Sequence, residues 1–236
     1  VELSSDGYPT SVCGVLAVNR GRTVASAQRS RKRLVERLRL RGIERDDVLA
    51  AIGDTPRHIF VDEALSSRAY EDTALPIGYG QTISQPFIVA VMTQALLNCG
   101  VTGKVLEVGT GSGYQTSVLA RVVRQVISVE RVQALLSMAR DRLRQQQLMN
   151  VLTVHGDGYQ GWPAEGPYQG ILVTAAPPEL PTVLLEQLSE DGVLIVPVGP
   201  QGEAQRLLAI RRDPEGGWSQ EDLGAVSFVP LVEGRR

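Results

Sequence analysis

The segment GYGQTISQP, Gly78 to Pro86, carries one serine, Ser84, in a stretch too rich in glycine and too polar to form a core strand. A nucleophilic serine needs a base to take its proton. The chain has two histidines, His58 and His155, and neither lies in this segment. A second chemically loaded stretch is VLEVGTGSGYQ, where Glu107, Gly109, Gly111 and Gly113 stand at the junction of an apolar run and a helical pattern. Glycines at such a junction let the chain turn tightly and let a ligand approach the backbone. Two more acids follow in order, Glu130 closing VISVE and Asp157 within HGDGY, each at the end of an apolar run.

Spacing separates the ligands that such a glycine turn can hold. A phosphate-binding P-loop requires Gly-Lys-Ser/Thr after its glycines, whereas Gly113 is followed by Tyr114 and Gln115. A dinucleotide fingerprint counted from Gly109 requires glycine where Tyr114 stands. The remaining pattern, acid-x-Gly-x-Gly-x-Gly, is similar to that of S-adenosylmethionine-dependent methyltransferases. That cofactor ends in an amino acid rather than a pyrophosphate, so it asks for close backbone approach and a nearby acid. Glu107 suits the amino end, directly or through water. Glu130, about twenty residues past the first glycine, suits the ribose hydroxyls; the plainer alternative is a surface glutamate at a strand end. Asp157 suits the adenine amino group, with Gly158 leaving room for the ring; the plainer alternative is an Asp-Gly turn.

The elements that must position these residues alternate. PFIVAVMTQALLNCG predicts a helix with Pro86 at its first position and Gly100 at its end. Then KVLEVG (strand), GYQTSVLARVV (helix), QVISVE (strand), RVQALLSMARDRLRQQQ (helix), NVLTVHGD and YQGILVTAA (strands), PPELPTVLLEQLS (a helix with early prolines) and GVLIVPVG (strand) follow. Short apolar runs alternating with helices predict a doubly wound, mostly parallel α/β sheet covered on both faces. Before it, Ser26–Gly42 and ERDDVLAAIGDTP predict two helices, the second closed before Pro56. After it, EAQRLLAIRRD and WSQEDLGAVSFVPL flank PEGG and predict an antiparallel hairpin. The expected organisation is a variable leader over 1–25, with an extra strand at most, and one domain over 26–236. That domain divides into a helical prefix and substrate loop (26–85), a cofactor-binding core (86–200) and a C-terminal hairpin (201–236).

Length and composition narrow the class. The 236 residues, 43% apolar, suffice for one sizeable core, and a net charge of −2 does not point to nucleic acid or membrane. Cys13 and Cys99 supply neither a disulfide framework nor a metal spacing, so no metal is expected and the default setting is the thiol-reducing cytoplasm. No apolar run approaches the ~18 residues of a membrane span. VCGVLAV is short and follows an acidic start, a poor secretory signal, and the chain opens on Val1 rather than Met, which reads as a trimmed end. The arginines and Lys32 of the first helix form a basic face without the interleaved aromatics of a nucleic-acid surface.

RHIFVDEA (Arg57–Ala64), AYEDTALPIGYGQTISQP (Ala69–Pro86), VLEVGTGSGYQTSVLA (Val105–Ala120), GDGYQGWP (Gly156–Pro163), PYQGILVTAAPPELP (Pro167–Pro181), LSEDGVLIVPVG (Leu188–Gly199) and FVPL (Phe228–Leu231) together resemble the protein-L-isoaspartate O-methyltransferase family of protein-repair enzymes. The match keeps motif order from residue 28 to 232, and the segment around Thr82–Ser84 is its most discriminating part. The resemblance implies methylation, by S-adenosyl-L-methionine, of the free carboxylate of L-isoaspartyl residues and, less efficiently, D-aspartyl residues in damaged proteins. The ester then closes to a succinimide, and S-adenosyl-L-homocysteine is the other product. It implies Ser84 as the active-site serine, and cofactor contacts at Thr82, Ile83, Ser84, Glu107, Val108, Gly109, Gly111, Glu130, Arg131, Asp157 and Gly158. Substrate contacts are implied at Ile83, Ser84, Ala176, Pro177 and Val229, in a monomer without nucleic-acid or membrane partners.

An aspartyl α-carboxyl titrates near about 3.5, so such a substrate arrives ionised. No proton must be removed, and Ser84 is left to aim one carboxylate oxygen and replace lost water. The competing role for Ser84 is to cap the helix that starts at Pro86. Arg57 and His58 are expected to anchor the prefix, and neither histidine to be catalytic. Two rival functions remain. A methyltransferase acting on nucleic-acid amines favours an Asn/Asp-Pro-Pro-Tyr/Phe loop, where this chain has TAAPPE. A non-catalytic binding module would use the basic first helix and leaves the ordered Gly109, Glu130 and Asp157 without purpose.

Overall fold

In the computed structural model, which describes residues 27–213 and 215–236, seven strands form one sheet in the order β5-β4-β3-β6-β7-β8-β9. The expected leader over 1–25, and Ser26 at the first helix's start, lie outside the described residues. The prefix consists of α1 (27–40) and α2 (Asp46–Asp54), then two 3-10 turns at Arg57–Phe60 and Glu63–Arg68. Leu34 and Leu38, four residues apart, bury the inner stripe of α1, and Gly42 at φ +95° ends that helix in the left-handed region.

The stretch around Gly78 departs from a plain loop. β1 (Leu75–Gly78) and β2 (Gln81–Ile83) pair antiparallel as a separate two-stranded hairpin. Its tip, Gly78, Tyr79 and Gly80, has φ values of +88°, +55° and +72°. The glycines that argue against a core strand are the residues that let so short a hairpin reverse.

Next come α3 (Pro86–Asn98), β3 (Lys104–Val108), α4 (Tyr114–Leu119), β4 (Gln125–Glu130), α5 (Gln133–Gln145), β5 (Val151–His155) and β6 (Tyr168–Val173). Then follow α6 (Thr182–Leu185), β7 (Leu188–Val198), β8 (Gln205–Arg212) and β9 (Trp218–Val226). β3 pairs in parallel with β4 on one side and β6 on the other, so the strand order reverses around β3. Ligands in open α/β sheets bind in the crevice beyond the strand carboxyl ends at such a switch point. The expected C-terminal hairpin, β8 with β9, forms and extends the main sheet antiparallel to β7.

Two helices are shorter than their sequence pattern. α4 stops at Leu119, and Asn150 Nδ2 donates to the carbonyls of Ala120 (2.8 Å) and Val123 (3.2 Å), which holds that segment as a turn. α6 is reduced to four residues because Pro177, Pro178 and Pro181 withhold N–H donors from its first turns. One face of the sheet is therefore sealed by Leu34, Leu38, Leu49, Leu96, Val118 and their neighbours on α1–α4, the other by Leu184, Leu185, Leu231 and Trp162.

The entry to α3 is stabilised from a distance. Gln85, its N-cap, makes no side-chain cap. Asp72 Oδ1 instead accepts from Phe87 N (2.9 Å), its other oxygen pairs with Arg41, and its carbonyl accepts from Gln85 Nε2 (2.9 Å). Arg41 also lies 3.6 Å over the Phe87 ring. One acidic side chain thus ties the end of α1, the loop before β1 and the start of α3. Asp72→Ala is expected to lower stability by about 1–2 kcal/mol, the usual cost of a lost helix cap. Asp72→Asn, which keeps an acceptor, should lose less. Urea unfolding midpoints check the order, and equal losses would rule out the cap.

Candidate active site

At the switch point β3 ends in Gly109, Gly111 and Gly113, at φ +97°, +53° and +90°. Gly109 N donates to Val129 O (2.8 Å), and a Cβ at Gly109 would come within 2.3 Å of Thr174 Oγ1. The turn needs glycine there both for its backbone angle and for space. Glu130, at the end of β4, holds the turn shut: Oε2 accepts from Gly111 N and Oε1 from Val132 N, each at 2.8 Å. A carboxylate offers about four lone-pair sites, so two remain for the cleft that Glu130 lines.

Glu107 occupies the layer beneath. Leu106 and Val108 point into the core shared with Leu184, and Glu107, on the opposite face of the strand, is completely buried. Its Oε2 accepts from Ser128 Oγ and Thr116 Oγ1, both at 2.5 Å, while Oε1 has no partner among the described residues. Burial is the main force that raises its pKa to about 8; the Ser128 and Thr116 hydroxyls oppose the shift and Glu130 adds to it. Glu107 is thus adjacent to the cleft rather than on its wall.

The cleft above takes in about 790 Å³, open solvent included. Its wall includes Thr82, Ile83, Ser84, Val108, Gly109, Gly111, Glu130, Arg131, Gly158 and Val229 from the sequence-predicted set. Asp157 is set back from it. Its Oδ1 accepts from Tyr159 N (3.0 Å), capping the short turn Gly158–Gln160, and its Oδ2 accepts from Gly234 N (2.7 Å). Gly158 packs so tightly that a Cβ would lie 2.7 Å from Val108 Cγ1. Ala176 and Pro177 act through their backbones. Ala176 N donates to Val229 O and its carbonyl accepts from Leu231 N, both 2.8 Å, while Pro177 O accepts from Gly199 N (3.0 Å).

These bonds lay the C-terminal tail across the strand ends. Arg131 Nε donates to Gly234 O (3.1 Å), and Arg236 N donates to Arg131 O (2.7 Å). The chain end thereby closes the β4 side of the cleft, and Leu231 and Val232 join its wall.

Ser84 follows β2 and lines two depressions at once, this cleft and a neighbouring groove formed by Asp72–Ala74, Gln85, Ile88 and Ala225–Val229. Thr82, Thr174 and Val229 also belong to both. The Ser84 hydroxyl makes no hydrogen bond among the described residues, and the cap of α3 is supplied by Asp72. The capping role considered for Ser84 is therefore taken by another residue.

Neither histidine reaches the cleft. His58 Nδ1 is 2.6 Å from Tyr70 OH, and His155 Nε2 donates to Arg131 O at 3.0 Å. Burial, helped by Arg31, holds the His58 pKa below its usual value. Arg57 anchors the prefix: buried, it lies 4.8 Å over the Tyr114 ring and donates to Ala69 O (2.9 Å) and Thr73 O (3.2 Å). Its pKa falls to about 10 through burial, so it stays charged at neutral pH. Sequence reasoning missed Thr174, which lines both depressions and whose Oγ1 reaches Gly109 O at 2.7 Å. It also missed Asp72. Thr174 had a signal, its place directly after the β6 strand; Asp72 had none, since its partners are 15 and 31 residues away.

Comparison with known proteins bears on this site. The family model for protein-L-isoaspartate(D-aspartate) O-methyltransferase matches residues 28–236. The chain is 55% identical to a protein-L-isoaspartate O-methyltransferase of Halorhodospira halophila over 210 residues, which is 89% of this chain and 94% of that one. It is 56% identical to the enzyme of that name from Pseudomonas aeruginosa over 209 residues, covering 89% and 98%. Among solved structures, a Plasmodium falciparum protein-L-isoaspartate O-methyltransferase in complex with S-adenosyl-L-homocysteine superposes with a TM-score of 0.75. It shares 30% identity over 85% of this chain and 97% of its own. With the glycine turn, the Glu130 clamp and the Ser84 hairpin on one cleft, these matches show that the chain belongs to the protein-L-isoaspartate(D-aspartate) O-methyltransferase family.

Proposed function

We propose that this cleft binds S-adenosyl-L-methionine and that Ser84 presents to it the free carboxylate of an L-isoaspartyl or, less efficiently, a D-aspartyl residue of a damaged protein. The observation that carries the reading is the position of Ser84, its hydroxyl unengaged among the described residues, where the cleft beyond the glycine turn meets the second groove. The residues fit the cofactor. A glycine turn without room for a Cβ allows close approach, Glu130 keeps two acceptor sites, and a buried carboxyl with a free oxygen, Glu107, lies beneath.

Bound in the cleft, S-adenosyl-L-methionine supplies an electrophilic methyl on a sulfonium. The carboxylate oxygen–carbon bond forms as the carbon–sulfur bond breaks, the electron pair stays on sulfur, and the products are a methyl ester and neutral S-adenosyl-L-homocysteine. The ester then closes to a succinimide, which starts repair. The substrate carboxyl is ionised at neutral pH, so no base is required, and both histidines are engaged elsewhere. Ser84 donates to one carboxylate oxygen and stands in for water stripped from it. Glu130 takes the ribose, Thr82, Ile83, Val108, Gly109 and Gly111 surround the methionine end, and Arg131, Asp157 and Gly158 frame the adenine end. Ile83, Ala176, Pro177 and Val229 line the peptide's approach.

The rival binding module loses support because three arginines at the end of its basic helix are engaged within the chain. Arg37 donates to Tyr70 O, Arg39 pairs with Asp46 and Arg41 pairs with Asp72. The whole stretch 26–236 is proposed to act as one catalytic unit, with prefix, core and hairpin all contributing to the site. The proposal extends to a cytoplasmic monomer, and the free thiol of Cys99 among the described residues agrees with a thiol-reducing setting. No helix among the described residues is long and apolar enough to cross a membrane.

Labelled cofactor with paired peptides that differ only in Asp versus isoAsp tests the assignment; base-labile label should appear on the isoAsp member alone, and equal labelling would refute it. Ser84→Ala should reduce kcat/KM on the isoAsp peptide about 10–100-fold, the range for losing one hydrogen bond to a reacting anion. Its affinity for S-adenosyl-L-homocysteine should change far less, and full turnover in this variant would remove Ser84 from the mechanism. Glu130→Ala should weaken S-adenosyl-L-homocysteine binding about 10–100-fold by calorimetry, because both the ribose acceptor and the clamp on Gly111 are lost. Unchanged affinity would contradict the ribose role.

A further inference from the structure

Glu107 is the ionisable group in the site whose state is not explained by its protein surroundings. From β4 it faces Ser128 and, at longer range, Glu130; from α4 it faces Thr116; on β6 its register neighbour is apolar Leu172. None of these carries a positive charge. A carboxylate sealed from water without a cationic partner is costly, and a carboxyl so placed keeps its proton instead. Two hydroxyls lie at 2.5 Å from Oε2, and either can accept a proton carried on that oxygen, while Oε1 has no partner among the described residues.

We propose that Glu107 is a neutral carboxylic acid in the cofactor-free enzyme and becomes a carboxylate when the cationic amino-acid end of the cofactor is bound, so that cofactor binding releases one proton to solvent. The proposal rests on the reading of the cleft as the cofactor site. The balance is simple: the Glu107 O–H bond breaks, the proton goes to buffer, and the negative charge that remains on the acid is compensated by the ligand's ammonium. A charge formed only when its partner arrives avoids leaving a bare anion in the core of the empty protein. It also makes the acid a counter-ion that favours ligands with a positively charged end.

The unoccupied acid also leaves a mark on folding. A pKa near 8 in the folded chain, against about 4.3 unfolded, means that the folded state binds more protons between those values. Stability from this group is therefore fully present at low pH and is lost as pH rises through about 8.

Isothermal titration of the whole protein with S-adenosyl-L-homocysteine at pH 7, in buffers of differing ionisation enthalpy, tests the proposal. This product keeps the α-amino group, which is cationic in both free and bound ligand at that pH. Wild type should release about 0.9 proton, the fraction protonated for a pKa of about 8. Its Kd should fall close to tenfold between pH 6 and pH 7. Glu107→Gln, an uncharged mimic of the acid, should show neither effect. In the absence of ligand its melting temperature should match wild type at pH 5 and exceed it at pH 8.5. A buffer-independent enthalpy in wild type overturns the proposal even if the variant fails to fold. Proton release that persists in Glu107→Gln assigns it to another group and overturns the proposal as well. Failure of S-adenosyl-L-homocysteine to bind at all would overturn the cofactor reading itself, which the other outcomes leave standing.

Discussion

One carboxylate, Glu130, joins the two crossovers that flank the switch point, taking Gly111 N from the turn after β3 and Val132 N from the turn after β4. The cleft depends on that bond pair. The three glycines bring no side chains to hold the turn, which Thr110 also ties to Ser128 through their hydroxyls at 2.6 Å, and Gly109, Gly111 and Gly113 all stand in backbone regions that unrestrained glycine visits among many others. A charge-assisted bond to Gly111 N selects one arrangement. The same strand end brings His155 to Arg131 O and places Arg131 against the C-terminal residues, so the clamp fixes the turn, the β4 side of the cleft and the tail together.

Around that clamp the molecule separates electrostatics from placement. Glu130 is bonded by the protein's own N–H groups. Glu107, one layer deeper, receives only hydroxyls, and burial raises its pKa to about 8. Two glutamates on adjacent strands thus have different surroundings, with backbone amides at one and buried hydroxyls at the other. The reaction proposed for the site needs no titrating base, so the fold is free to bury its histidines in structural bonds and to spend its acids on the ligand.

The prefix and the C-terminal tail complete the site around the sheet. Asp72 fixes the start of α3 and, through Gln85, the residue next to Ser84. Arg57 stacks on Tyr114 at the head of α4 and binds the carbonyls of Ala69 and Thr73 that precede the hairpin. The tail pairs with Ala176 on the opposite bank. Ser84, just past a three-residue strand, is held between elements that enter the site from both ends of the chain.

Much of this was legible in the residues. Alternating apolar runs and helices determine a parallel sheet because each run is long enough for one strand and too continuous to leave a face in water. Tyr114 and Gln115 after Gly113 exclude a phosphate loop. The truncation of α4 by Asn150 and the cap from Asp72 were not legible, since each is made by partners distant in sequence; the hairpin at Gly78–Gly80 is local, but its strands are too short to show a period. The surroundings of Glu107 were not legible either. By itself the sequence determined the order of elements, the glycine turn and the identities of the acids that could serve a cofactor, because these follow from local period and spacing. Tertiary structure alone decided that Glu130 faces the cleft while Glu107 lies sealed beneath it and Asp157 is bonded to the tail, because solvation and hydrogen-bond partners come from strands and termini that only folding brings together.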